Sequence, residues 1–109
     1  MAQTTRALGP VDRVRDVSSS AAEAFTALRR AIDEAGPLEA KYRELINLGA
    51  FATARIEGAF KTHCGRALDA GATPEEVRQA ALLPLAATSG IGPVADALRW
   101  AEEVIASRR

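Results

Sequence analysis

Thiols and imidazoles are almost absent from this chain of 109 residues, which has one cysteine and one histidine. A single cysteine excludes an intrachain disulfide and a CxxC redox pair, and one histidine beside one thiol excludes a histidine- or thiolate-rich metal cluster within one chain. Net charge is absent too: fourteen basic and fourteen acidic residues cancel, so no basic field gathers nucleic acid and no polyacidic tail is present. Charged residues interrupt every apolar run before 18 residues, which argues against a membrane span. The first twenty residues, MAQTTRALGPVDRVRDVSSS, hold no apolar h-region, so the expected compartment is the reducing cytoplasm. Large side chains are also scarce. Alanine supplies 24 of the 52 hydrophobic residues, leaving 28 larger ones to build a core. That is enough for one domain, with a core thin enough to gain from packing against other subunits.

What is present reads as helix throughout, with no sustained period-two alternation. Residues 1–17 are polar and irregular, broken at Gly9-Pro10, and are expected to be a flexible N-terminal arm with at most a helical turn over 10–16. Residues 18–109 are expected to form one all-α domain of about five helices. Ser20-x-x-Glu23 has the spacing of a capping box, and Phe25, Leu28 and Ile32 give the first helix an apolar stripe up to Gly36-Pro37, where glycine is expected to take the left-handed conformation. The second helix starts near Glu39, carries Tyr42, Leu45, Ile46 and Gly49 on one stripe, and ends between Ala52 and Arg55. The third runs from about Ile56 to Ala70 and is closed by Gly71. Thr73-Pro74-Glu75-Glu76 combines a threonine cap, proline at the first helical position and a glutamate three residues on, so a fourth helix starts there and bends at Pro84. After Ser89-Gly90-Ile91-Gly92-Pro93 a fifth helix turns Val94, Leu98, Ala101 and Ile105 inward.

Chemistry in such a chain centres on His63, the one side chain that titrates near neutrality without help. It shares a stripe with Ile56, Ala59, Phe60 and Ala67, and the commoner meaning of that pattern is a core histidine bonded to a carbonyl or carboxylate. Two glutamates are candidate partners. Glu44 lies on the second helix, one position off its apolar stripe. Glu57 lies six residues before His63, about 240° away around the helix, where it also complements the helix dipole. Cys64 is 100° round from His63, so the two do not face each other, and a small buried hydrophobe is the simpler reading of it. Arg43, Arg55, Lys61 and Arg66 are cations on the same two helices, and Trp100 is an anchor for a core or an interface.

These residues carry a resemblance. Lys41-Tyr42-Arg43-Glu44-Leu45-Ile46, followed by the run from His63-Cys64-Gly65-Arg66-Ala67-Leu68 to Asp69-Ala70-Gly71-Ala72-Thr73-Pro74-Glu75-Glu76-Val77, resembles the carboxymuconolactone decarboxylase and alkylhydroperoxidase D-like superfamily, over roughly residues 20–106. In the peroxidase branch a C-x-x-C precedes the histidine. Here Ile56 and Ala59 fill those positions, and Cys64 lies on the wrong side of His63, so a dithiol cycle is excluded. Glu57-Gly58-Ala59-Phe60-Lys61-Thr62-His63 is similar to the E-G-x-x-K-x-H pattern of the decarboxylase branch, and Ser89-Gly90-Ile91-Gly92-Pro93 to its C-G-I-P loop. Two positions depart from that branch: Arg55 stands one place earlier than the usual arginine, and Lys41 replaces a usual histidine.

The resemblance implies an alkylhydroperoxidase D-like bundle with a central antiparallel helix pair, assembled as a homotrimer or homohexamer. It implies a cofactor-free and metal-free lyase or isomerase acting on a small anionic lactone-like substrate, with His63 and Glu44 or Glu57 as the acid/base pair and Arg43 or Lys61 holding the anion. The alternatives are a family member that kept the fold without the chemistry, and a peroxidase that uses Cys64 with an external thiol.

Overall fold

Helix-start chemistry accounts for most of the element boundaries in the computed structural model, which describes residues 9–108. Gly9 precedes Pro10 at the first helical position, and its N–H donates to Asp12 Oδ2 at 3.0 Å, so the expected breaker opens α1, Pro10–Val17. Ser18 then serves two helices. Its N–H donates to Val14 O at 2.8 Å to end α1, and its hydroxyl accepts from Ala21 N at 3.1 Å to start α2, Ser19–Asp33. The cap expected at Ser20 is therefore two residues earlier. Residues 1–8 of the expected arm lie outside the described residues.

The described chain falls into two compact units, one ending at Pro37 and the other starting at Leu38. In the first, α1 packs on α2. Ala22 is the buried residue of α2, while Phe25, Leu28 and Ile32 stay 46%, 56% and 61% exposed. Gly36 does not take the left-handed conformation, because α2 ends at Asp33 and is closed by the N–H of Glu34 bonding to Arg30 O at 3.0 Å.

The second unit holds α3, Ala40–Ala54; α4, Glu57–Asp69; α5, Pro74–Leu82; a four-residue 3-10 turn, Leu83–Ala86; and α6, Ile91–Ser107. All six helices are α-helices and no strand occurs among the described residues. The protein is all-α, with α1 added to the expected five. Thr73 and Glu76 form the reciprocal cap that the sequence announces, with Glu76 N to Thr73 Oγ1 at 3.1 Å and Thr73 N to Glu76 Oε1 at 2.9 Å. Gly71, at φ +100°, ends the preceding turn in the left-handed region that its lack of Cβ permits. Pro84 does more than bend a helix. The α-helix stops at Leu82, and the carbonyl of Pro84 gathers the N–H groups of Ala87, Thr88 and Ser89 at 3.0–3.1 Å.

The core of this unit is built from Leu48, Phe60, Cys64, Val77 and Trp100 with seven alanines, Ala52, Ala67, Ala72, Ala80, Ala81, Ala97 and Ala101. Side chains that small let the four helices approach closely, so the scarcity of large residues becomes tight packing between helices. Phe60 and Trp100 rings meet at 5.7 Å and 60°, an edge-tilted pair between α4 and α6. On α6, Val94, Ala101 and Ile105 are buried as expected, with Leu98 half-buried. On α3 the expected stripe is not the covered face. Tyr42 and Ile46 are 47% and 59% exposed, whereas Leu48 and Ala52 are buried. The large apolar residues attracted the pattern reading, but α4 covers the side of α3 that carries smaller and mixed residues.

Candidate functional site

Glu44 and Phe51 are seven residues apart, two turns of α3, and so lie on one face of it. The α3–α4 link is two residues, Arg55 and Ile56. Folding antiparallel about that link sets His63 opposite a point midway between Glu44 and Phe51, and both side chains reach it. Glu44 Oε2 is 2.5 Å from His63 Nδ1, and the Phe51 ring centroid is 4.9 Å from the imidazole, tilted by 43°.

The link has its own cost. Arg55 caps α3 in the left-handed conformation, φ 60° and ψ 40°, the one non-glycine residue there among those described. Its N–H bonds back to Ala52 O at 3.2 Å, and Ile56 N to Phe51 O at 3.0 Å. Sequence reading left the end of α3 open over these residues because nothing at Arg55 announces a left-handed cap.

The pair sits low in the surface, with the His63 side chain 6% and the Glu44 side chain 15% exposed. An ionised carboxylate only accepts, so Nδ1–H donates to Glu44 and Nε2 carries the ring's lone pair. Nε2 has no hydrogen bond in the chain. It is not sealed either, since the buried side-chain nitrogen or oxygen without a partner among the described residues is Trp100 Nε1. An imidazole held at one nitrogen by a carboxylate and open at the other can take and return a proton there.

The remaining expected residues fall elsewhere. Glu57 does not approach His63. Its carboxylate is 2.8 Å from Lys61 Nζ one turn along α4, and Lys61 also reaches Glu103 on α6 at 2.6 Å. The hydrogen bond from Glu103, then that from Glu57, raises the Lys61 ammonium above its ordinary range. Lys61 and Glu57 thus tie α4 to α6 on a face turned away from the imidazole. Arg43 directs its guanidinium at the start of α3, where Nη1 donates to Leu38 O at 2.5 Å. Lys41, which stands where the family more often has histidine, bonds Glu76 of the α5 cap at 3.2 Å. Cys64 is fully buried, and burial pushes its thiol up to about 11. Phe51, absent from the expected site, was detectable only by its seven-residue spacing from Glu44. Among the described residues no group of three or more histidine, cysteine, aspartate or glutamate side chains could hold a metal ion, and no helix is long and apolar enough to cross a membrane.

The largest opening in the second unit is elsewhere. A groove of about 720 Å³ runs along the other side of α3, between it, α5 and the 3-10 turn. It is lined by Leu45, Ile46, Gly49, Leu83, Pro84 and Thr88 among others, and neither Glu44 nor His63 contributes to it.

An all-helical core with a carboxylate–imidazole pair bridging its central hairpin defines a class of small helical proteins with a buried acid/base pair. Comparison with known proteins makes the class specific: the carboxymuconolactone decarboxylase family model matches residues 20–103, more than three-quarters of the chain, and the protein belongs to that family. No curated protein and no solved structure matches it.

Proposed function

We propose that the protein is a cofactor-free acid/base enzyme of the carboxymuconolactone decarboxylase type, a lyase or isomerase acting on a small anionic lactone-like substrate. One observation carries this reading: the 2.5 Å contact between His63 Nδ1 and Glu44 Oε2, which leaves Nε2 unpartnered. In a decarboxylation the bond between the carboxylate carbon and the ring carbon breaks, and its electron pair enters the conjugated lactone. Carbon dioxide leaves, and a protonated His63 delivers a proton from Nε2 to the carbon that has gained electrons. Glu44 orients the ring and stabilises its cationic form, as a carboxylate does behind many catalytic histidines. The Phe51 ring excludes water from one side of the imidazole. An anion contact falls to Arg43, next to Glu44 in the chain, rather than to Lys61, which two carboxylates already share. Glu57 has no part in the pair within one chain. The family resemblance carries self-association as a trimer or hexamer into the same reading, and a cytoplasmic setting fits the single thiol.

A second reading, a family member that kept the fold and binds without turnover, is favoured by the 4% exposure of His63 and by the separation of the groove from it. A peroxidase using Cys64 is not favoured, because a buried thiol held protonated at neutral pH is a poor nucleophile. His63→Ala and Glu44→Gln decide between the first two on a panel of small anionic lactones. Each variant is expected to lower turnover by about 10²–10⁴-fold, with circular dichroism and sedimentation unchanged. Turnover equal to the wild type in His63→Ala overturns the enzymatic role of His63. No turnover of any panel member by the wild type favours the binding protein.

A further inference from the structure

Two apolar surfaces in this chain have no cover. One is the α2 stripe of Phe25, Leu28 and Ile32, 46–61% exposed. The other is the α3–α5 groove, whose walls include Ile46 and Leu83, each 59% exposed. Three large apolar side chains in one row on a helix rarely face water without a partner, and the same holds for an open apolar groove.

We propose that the α2 stripe of one copy docks into the α3–α5 groove of a second copy. The dimensions agree: Phe25 to Ile32 spans about 10 Å of helix, and the α3 wall from Leu45 to Ala54 spans about 13 Å, at the rise of an α-helix. The spacing i, i+3, i+7 is how an amphipathic helix presents anchors to a groove. The volume agrees as well, since about 720 Å³ takes a few large apolar side chains. Charge agrees too. Arg29, four residues after Phe25, flanks the stripe, and neither it nor Arg30 has an ion-pair partner within the described chain. Glu75, 79% exposed at its side chain and 3.7 Å from Arg78, stands next to the groove residue Glu76. Each copy offers one stripe and one groove, so the contact is heterologous and closes into a ring when the rotation permits. The groove shares α3 with Glu44 and Phe51, so docking braces the helix that carries half of the acid/base pair.

This inference names the surfaces for the self-association in the preceding reading and does not depend on the chemistry at His63. The test uses the full chain. Leu28→Glu and Ile46→Glu change exposed positions and are expected to keep the helical spectrum while weakening association at least about tenfold by sedimentation equilibrium. Mixing Leu28→Cys with a mass-tagged Ile46→Cys, each with Cys64 buried and unreactive, is expected to give an oxidised cross-link between differently tagged chains. A wild type that stays monomeric at high micromolar concentration overturns the proposal. So does an oligomer that neither glutamate variant weakens, and in that case self-association stands while these surfaces do not form it. An oligomer with no mixed cross-link also overturns it.

Discussion

Cys64 shows how one side chain's setting decides its chemistry. Apolar neighbours raise its thiol to about 11, because burial disfavours the thiolate, while the Arg108 charge pulls weakly the other way. The folded state therefore holds the proton over a range in which the unfolded thiol, near 8.5, releases it. With more protons bound in the native state, stability is intact below the unfolded value and falls as pH rises toward 11. Iodoacetamide at pH 8 is thus expected to leave the native protein unmodified and to label it in denaturant, which mass spectrometry reads directly. Cys64→Ala is expected to flatten the alkaline limb of the stability profile between pH 9 and pH 11 relative to the wild type. Rapid native labelling at pH 8 would show the thiol to be ionised. His63, its neighbour in the chain, faces the opposite demand: it needs one nitrogen fixed and one free, and Glu44 supplies the first.

At the scale of elements, the α3–α4 hairpin is the unit that makes the site. Its link confines an arginine to the left-handed region, where an L-residue other than glycine costs about 1–2 kcal/mol. Arg55→Gly is expected to relieve part of that and to raise the unfolding free energy by about 1 kcal/mol, measured by urea titration. The side chain is exposed, so little contact energy is lost with it. An unchanged or lower midpoint would mean that the side chain holds the turn by interactions that offset the strain. The exposed tethers Lys61–Glu103 and Arg78–Glu102 fix α6 in register, at 2.6 Å and 2.5 Å, without adding much stability, as is usual for solvated ion pairs.

For the whole molecule, the division at Pro37 and Leu38 separates a helix pair with little buried surface from a unit that holds both the core and the acid/base pair. The fragment 38–109 is accordingly expected to fold by itself, with a cooperative thermal transition and a helical spectrum. Gradual, noncooperative melting of that fragment would show that the core needs the first unit. If α2 docks on a second copy, the fragment is monomeric under conditions where the full chain is not.

Much of this was legible in the sequence. Alanine content and 3.6-residue spacing imply an all-helical protein. Thr73, Pro74 and Glu76 mark the start of α5 one position after the cap, and Gly71 the left-handed turn before it, because caps and φ > 0 positions are local chemistry. Local chemistry misled where two signals competed. Ser18 and Ser20 both read as caps, and the structure uses the one that also ends α1.

The sequence by itself also determined which groups exist to do chemistry, one imidazole and one thiol, since composition admits no alternative. The tertiary structure alone decided which glutamate meets that imidazole. Glu57 is six residues away in sequence and on the wrong side of its own helix, whereas Glu44 is nineteen away and in contact. The reason is geometric: a helix fixes angles within itself, but only the packing of α3 on α4 fixes which side chains of one face the other. The same limit hid the groove, because periodicity identifies an apolar stripe and does not say whether anything in the chain will cover it.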